Sequence, residues 1–463
     1  MPSPVNRGIS GLAPQSISAL GCERFGCELW LDDSGVLMWP QFAAAVERVV
    51  KKCNDAGVQR GEVVITSGES TVEALVWLFG VAAVGAIAAP LRDDRLGEVQ
   101  GWKKFLAVGW HEWEGQLERG QEGSSSALAS RLLGELRDRN HSGLILATGG
   151  STGIPKVVLH DLDGLLSTVP VKDNVPRRIL PLMRFDHIGG LDMAWRAIAG
   201  RQVLVAPPAE ITPEAVAVTI ERHRVEVLPA TPSFLNLLLL AGVHATHDLS
   251  SLRVVPYGAE TMPIGLLARL RATFPKIDFV QRFGTSETGA LPVRDNGSGL
   301  LLRNGDSGYA WKIVEGELWV RSPSRALGYL SQESDAFDSD GWFRTGDLAE
   351  QTTDGAIRIL GRRANLMNVG GEKVLPGEVE EVLLTHPLVA DCRVEAEPNA
   401  VLGQVVAAEI VWSGPETDAL TVKRILHSFA SMLLPRHKLP AVVRLVSSVD
   451  TTRNLKKFRF VNA

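Results

Sequence analysis

The chain has 463 residues, of which 45% are hydrophobic and 22% charged, with a net charge of −5. This is the composition of an ordinary soluble globular protein, long enough for two or three domains around a large core. The 48 basic and 53 acidic residues leave no electrostatic footprint for nucleic acid or an anionic membrane. Cys22, Cys27, Cys53 and Cys392 are too few, and too poorly spaced, for a disulfide framework or a zinc site, and fit reduced thiols in a cytoplasmic protein. The opening residues 1–7 hold no apolar segment of a signal peptide.

In chain order, Glu62–Ser67 reads as a buried strand, Ser70–Val84 as a helix and Ala86–Pro90 as a second strand. The apolar stretch Val72–Pro90 invites a membrane reading, but its glycines, Glu73 and closing proline fit a buried helix followed by a strand. Gly120–Ser126 reads as an exposed linker. Further strand–helix alternation predicts strands at Arg201–Pro207, Val225–Pro229, Arg253–Pro256 and Phe279–Phe283. The helices between them are expected at Thr212–Arg224, with Pro213 in the first turn, at Pro232–Ala241 and at Pro263–Phe274. After about residue 300 short strands dominate, at Gly316–Arg321 and Ala356–Leu360. A polar junction at Gly361–Asn365 leads to about 100 residues with a helix at Pro376–Thr385, a strand at Val405–Val411 and a helix at Thr421–Leu434. The expected fold is α/β: a large N-terminal domain of parallel and mixed sheets with a β-rich module, residues 1–361, and a small mobile α+β C-terminal domain, residues 362–463.

The most informative segment is Leu144–Lys156, an apolar run entering Thr148-Gly149-Gly150-Ser151-Thr152-Gly153 and ending at Pro155-Lys156. Glycines let backbone N–H groups turn toward an anion, three hydroxyls add donors, and Lys156 adds charge. On its own such a loop is also a plain surface turn. It is not the P-loop that opens a helix, because Val157-Val158-Leu159 continues as a strand.

Further segments stand in order along the chain: Pro181–Leu191 with His187, Gln281–Thr288 with Glu287, Gly341–Asp347, Ile359–Glu380, Leu434–Pro440 and Thr452–Arg459 with Lys456. Taken singly each has a bland reading: a core histidine, a helix cap, a glycine turn, a solvated basic tail. Taken together they resemble the AMP-forming adenylating superfamily of acyl-CoA synthetases, carrier-protein-loading adenylation domains and beetle luciferases. The resemblance runs from about Trp30 to Arg459. It is closest to short acyl- or aryl-CoA ligases of the o-succinylbenzoate-CoA ligase type.

What the resemblance implies is specific. Lys456, His187 and Glu287 would be catalytic, with Glu287 holding Mg²⁺. ATP and AMP would be bound by Thr148, Gly149, Gly150, Ser151, Thr152, Gly153 and Lys156, by Gly258, Ala259 and Glu260, by Arg282, Phe283, Gly284, Thr285 and Ser286, and by Asp347 and Arg362. The acyl pocket would be drawn from His187, Gly190, Met193, Tyr257, Gly258 and Ala290, with Ala259 and Arg282 as further candidates. Gly370 and Gly371 would line the pantetheine tunnel. A carboxylic acid would be activated by ATP to acyl-AMP and then transferred to coenzyme A, with rotation near Ala364 exchanging Lys456 for the Gly370-Gly371 turn. Two alternatives stay open: loading of a carrier protein's phosphopantetheine, and a homologue that binds nucleotide or acyl-adenylate without forming it. No membrane span and no nucleic-acid partner are expected, and a homodimer is compatible with this reading.

Overall fold

A computed structural model describes residues 27–120, 124–148, 156–169, 175–295, 300–302, 308–450 and 457. Three larger sheets and one two-stranded sheet build the N-terminal part, and a further sheet builds the C-terminal part.

The first sheet is assembled where apolar strands alternate with helices. Strands Val63–Ser67, Ile87–Leu91 and Gly143–Thr148 lie parallel, and Trp110–Trp113 joins Val63–Ser67 in the same sense. Lys156–Asp161 then returns antiparallel to Gly143–Thr148, and Gly328–Tyr329 closes that edge. The helix between the first two strands spans Val72–Ala83 and is started by Thr71, whose hydroxyl accepts the Ala74 N–H at 3.2 Å. It is buried on nearly every face, and at 12 residues it is a core helix. Among the described residues no helix is long and apolar enough to cross a membrane.

A second sheet places Gly35–Met38, Glu28–Asp32, Val203–Val205 and Arg178–Ile179 side by side. Isolated bridges at Val227 carry it on to the parallel pair Val254–Tyr257 and Asp278–Gln281. The expected strand at Val225–Pro229 is thus reduced to bridge residues, since Pro229 has no N–H to continue a ladder. Helices Pro213–His223, capped by Thr212, and Pro232–Leu240, capped by Thr231, cover this sheet. Residues 124–126 lead directly into the helix Ala127–Asp138, and Ser126 caps it, so the end of the expected linker is part of a helix start.

The β-rich module is a six-stranded antiparallel sheet in which Phe343–Gln351 pairs with Ile357–Arg362 and with Glu317–Arg321. Beyond the three-residue turn Arg363–Asn365, the C-terminal part has its own sheet, centred on the hairpin Val389–Asn399 and Gly403–Trp412. Helices Pro376–Leu383 and Ala419–Ala430 complete its separate apolar core with Val379, Leu383, Val422 and Leu426.

Candidate active site

The strands that flank the phosphate-loop motif, Gly143–Thr148 and Lys156–Asp161, pair antiparallel, and Thr148 opposite Lys156 is the pair nearest the loop. The motif therefore joins two strands, as Val157–Leu159 implied. Residues 149–155, which include Gly149, Gly150, Ser151, Thr152 and Gly153, lie outside the described residues, as does Lys456; of Thr148 only the backbone is described.

Lys156 opens the returning strand. Its ammonium sits 5.2 Å from the centre of the Tyr329 ring. Tyr329 is on the neighbouring strand, opposite Val158, and only 4% exposed. Its hydroxyl donates to Glu287 Oε1 at 2.7 Å. Burial and the adjacent Glu287 carboxylate both push the phenol above its ordinary range, so it stays a neutral donor. Tyr329 thus joins the cation of the phosphate loop to the carboxylate proposed for metal. Sequence reasoning missed it, because a lone tyrosine in a short edge strand carries no pattern.

Glu287 lies in a tight turn between the two-residue strands Gly284–Thr285 and Gly289–Ala290, with no helix following. The bland helix-cap reading of Ser286-Glu287-Thr288 fails here. Thr285 and Thr288 hydroxyls bond each other at 3.1 Å, and Thr285 Oγ1 also accepts the Glu287 N–H at 3.2 Å. Gly284 is required by space: a Cβ there would lie 2.5 Å from the Gly289 carbonyl oxygen. From below, the fully buried His160 donates Nε2–H to the Ser286 carbonyl at 2.7 Å. Burial lowers its pKa to about 4, so the ring is neutral and Nδ1 carries no proton.

His187 caps the helix Ile188–Ala199, its Nδ1 accepting the Gly189 N–H at 3.1 Å. That fixes the neutral tautomer with its proton on Nε2. The preceding Asp186 is held by Arg92 at 3.1 Å and Arg95 at 3.2 Å. Arg95 also donates to the Ala147 carbonyl at 3.1 Å, tying the His187 segment to the strand that enters the phosphate loop. Neither arginine was singled out from sequence, since they come from a turn about 50 residues upstream of the loop's Thr148 in a segment with no motif. Gly190 is needed for packing, because a Cβ would stand 2.2 Å from the Arg184 carbonyl oxygen. The helix that carries Gly190 and the half-buried Met193 packs against the strand of Ala290.

The ends of two parallel strands supply the next group. Tyr257 is buried, and its carbonyl accepts the Arg282 N–H at 2.7 Å. Gly258 lets the two strand ends approach, since its Cβ position is 2.7 Å from the Arg282 carbonyl oxygen. Ala259 is held at φ +67, a left-handed backbone that costs a non-glycine residue about 1–2 kcal/mol. Phe283 is half-buried against Leu291 and its neighbours in the β-rich core. Both carboxylate oxygens of Glu260 are taken by protein N–H groups, from Ser233 at 3.2 Å and from Lys457 at 2.7 Å.

Asp347 was expected on a tight glycine turn. It lies instead within the nine-residue strand Phe343–Gln351, although Gly346 before it has φ +73. The alternating burial of this segment and its partners on both sides account for the strand. Asp347 stands directly opposite Arg362, and its Oδ1 meets Arg362 Nε at 2.8 Å. Arg362 Nη1 also donates to the Thr345 carbonyl at 2.9 Å. Gly370 and Gly371 form a two-residue hairpin turn with φ of +60 and +96, exposed to solvent.

A separate cluster of His141, Asp161 and Asp163 lies at the far end of the same strand pair, with ligand atoms within 4.8 Å of one another. Asp161 caps the next helix through the Gly164 N–H, and Asp163 accepts the Ser142 N–H, so local backbone donors already use both carboxylates.

The sequence pattern of the AMP-binding enzyme family matches residues 112–330, and that of the AMP-binding enzyme C-terminal domain matches residues 378–456. The chain belongs to the AMP-binding enzyme family. Among curated relatives of this AMP-binding enzyme, a 2-succinylbenzoate–CoA ligase of Bacillus cytotoxicus is 26% identical over 453 residues, covering 90% of this chain and 92% of the relative. An indoleacetate–CoA ligase of Aromatoleum aromaticum is 26% identical over 484 residues, with 90% of each chain covered. Among solved structures, the anthranilate CoA ligase AuaEII in complex with anthranoyl-AMP superposes with a TM-score of 0.78 at 19% identity, over 98% of this chain and 96% of that one. The o-succinylbenzoate CoA synthetase of Bacillus subtilis with its acyl-adenylate intermediate gives 0.71 at 20% identity, over 95% and 96%.

Proposed function

We propose that this enzyme is an acid–CoA ligase: it joins a carboxylic acid to AMP at the expense of ATP, releasing pyrophosphate, and then transfers the acyl group to the thiol of coenzyme A, releasing AMP. The observation that carries this reading is the meeting of Lys156 and Glu287 on Tyr329, beside the paired strands that flank the phosphate-loop motif. A carboxylate does not react at neutral pH as an acyl donor, because its leaving group would be oxide. Attack of its oxygen on the α-phosphorus breaks the bond to pyrophosphate and leaves a mixed anhydride. The obstacle is repulsion between two anions, which fixed positive groups and donors relieve.

In this scheme Lys156 and Lys456 neutralise the growing negative charge. Asp347 accepts the ribose hydroxyls, and Arg362 orients Asp347 from the facing strand. His187, neutral with its proton on Nε2, donates toward the reacting carboxylate where the acyl and nucleotide sites meet. Gly190, Met193, Tyr257, Gly258 and Ala290 enclose the acid.

Glu287 fits Mg²⁺: it is a hard oxygen donor in a polar turn, and Mg²⁺ needs only one or two carboxylates besides phosphate oxygens. When bound, Mg²⁺ neutralises part of the phosphate charge. The second half-reaction calls for a different presentation, with residues 362–463 moving as a unit about Arg363–Asn365 and the Gly370-Gly371 turn admitting the pantetheine arm. The names of the curated relatives favour free coenzyme A over a carrier protein as acceptor.

The test is a panel of aromatic and aliphatic acids assayed for AMP release with ATP, Mg²⁺ and coenzyme A. One acid giving coenzyme-A-dependent AMP release supports the reading. Pyrophosphate exchange with no thioester to coenzyme A, but acyl loading of a phosphopantetheinylated carrier protein, replaces the acceptor. No exchange with any acid, together with retained nucleotide binding, replaces the whole reading by a non-adenylating homologue.

A further inference from the structure

Lys457 is buried between the two parts of the chain, in a place where charge is costly. Its side chain is 10% exposed. The ammonium donates to Asp391 Oδ1 at 2.8 Å and to the Cys392 carbonyl at 2.5 Å, both on the strand Val389–Asn399. Burial alone would pull its pKa down, but Glu380 and Asp391 outweigh that and hold it above the ordinary lysine value. Its backbone N–H points the other way, to Glu260 Oε1 at 2.7 Å. Glu260 belongs to the N-terminal part, just beyond the strand Val254–Tyr257, and its Oε2 accepts the Ser233 N–H that opens the helix Pro232–Leu240.

One neighbouring bond runs across the same seam, and a second braces it from within the N-terminal part. Asn236 Nδ2 donates to the Ala390 carbonyl at 3.4 Å, and Arg269 Nη2 donates to Asn236 Oδ1 at 3.0 Å. Arg269, its pKa lowered by burial, faces Asp391 and Cys392. The seam therefore interlocks two cations, Lys457 and Arg269, with three anions, Glu260, Glu380 and Asp391. Such a set is weak as a source of stability but strict in geometry: removing one member strands its partner in low dielectric. While this seam is closed, Gly370 and Gly371 face solvent.

We propose that Lys457 is a positioning residue, the pin of an interdomain clasp whose fixed half is Asp391 and whose releasable half is Glu260, and that the clasp holds the adenylating arrangement. The inference rests on the two-step ligase reading. Lys457 and Asp391 belong to the same C-terminal part and travel together. The bond from Lys457 N–H to Glu260 crosses between parts, so any rotation that presents Gly370-Gly371 must break it. Lys457 also directly follows Lys456 in the chain, so fixing one residue constrains the reach of the other. The clasp acts on which arrangement is populated, and makes no contact with reacting atoms.

The test uses Lys457→Met, which keeps length and loses charge, and Glu260→Gln, which keeps shape and weakens the acceptor. Thermal melting of both selects conditions where each is folded. The first readout is amide hydrogen exchange without substrates, over residues 228–241 and 386–396. The clasp predicts exchange faster by about tenfold or more in both variants, in the range of an ordinary coupling free energy. Parent-like exchange in the folded variants overturns it. The second readout splits the half-reactions for Lys457→Met. Pyrophosphate exchange should fall about tenfold, while thioester formation from preformed acyl-adenylate stays within about twofold. Equal losses in both steps overturn the clasp in favour of a merely structural lysine. If hydrogen exchange rises in both variants while the parent activates no acid on the panel, the clasp stands and the ligase reading falls.

Discussion

Tyr329 donates its hydroxyl to Glu287 at 2.7 Å while its ring lies beneath Lys156, so one buried side chain sets the spacing between a cation and an anion from distant segments. The hydroxyl and the ring do separate jobs, and Tyr329→Phe separates them. It keeps the ring under Lys156 and removes the donor from Glu287. A bond to a charged, half-buried acceptor is worth about 1.5–3 kcal/mol, so adenylation is expected to fall by about one to two orders of magnitude. Glu287→Gln should fall further and shift the Mg²⁺ dependence upward, since a neutral amide is a poor ligand for a hard cation. Pyrophosphate exchange across a Mg²⁺ titration reads both. Unchanged Mg²⁺ dependence in Glu287→Gln would leave Glu287 as a structural acceptor for Tyr329.

His160 makes the Glu287 turn sensitive to acid. Its folded pKa of about 4 lies below the usual 6.5, so the unfolded chain binds more protons between those values. The stability it contributes is complete above about pH 6.5 and is lost as pH falls toward 4. Between pH 7 and pH 5 the cost is about 2 kcal/mol from this group alone. Replacing His160 by Gln, which keeps a donor for the Ser286 carbonyl and cannot titrate, should flatten that part of the pH–stability curve. Melting curves from pH 7 to pH 5 that run parallel in parent and variant would show that His160 charges freely in the folded protein.

Much of this architecture was legible because its strands and helices obey simple rules. Thr212, followed by Pro213, announced its helix, and the structure shows Thr231 before Pro232 capping the next one in the same way. The long helix Trp39–Ala56 carried a readable signal that went unused, with Phe42, Val46, Val49 and Cys53 buried at helical spacing. The strand Val389–Asn399 was hidden for a physical reason. Its buried Asp391 and Arg393 break the apolar pattern, and only the structure shows their partners, Lys457 and Glu409. The site behaves likewise. Motifs announced Glu287, His187 and Asp347, while Tyr329, His160 and Arg95 act through contacts made only on folding.

Lys456 is expected to be needed in one half-reaction only. Its charge matters while negative charge grows on the transferred phosphate and is not needed once the anhydride exists. Lys456→Ala should lower acyl-adenylate formation by about two orders of magnitude or more, about 3 kcal/mol, and leave thioester formation from preformed acyl-adenylate near the parent rate. Lys457→Met is the internal comparison, since it should cost only the smaller, conformational part. Should the substitution at 457 prove the more damaging to adenylation, the catalytic role belongs one residue along the chain.

Gly371→Leu addresses the second half-reaction. Gly371 has φ +96 and nothing within 4 Å of its Cβ position, whereas a Cβ on Gly370 would come within 3.2 Å of Leu402. Gly371 is therefore the glycine whose substitution meets no neighbour in the arrangement described here. A leucine there pays only for its left-handed backbone, about 1–2 kcal/mol, in a turn exposed to solvent. That strain should lower the melting temperature modestly and leave pyrophosphate exchange close to the parent value. If the same turn lines the pantetheine passage during transfer, the added side chain occupies space the arm requires, and thioester formation from preformed acyl-adenylate should fall by about a hundredfold or more, as for a misplacement at a reacting centre. Gly371→Asn separates strain from bulk, since asparagine tolerates the left-handed region and is shorter; it should lie between parent and leucine in transfer rate and close to parent in melting. A folded Gly371→Leu protein that transfers acyl groups to coenzyme A at the parent rate would remove this turn from the acceptor path.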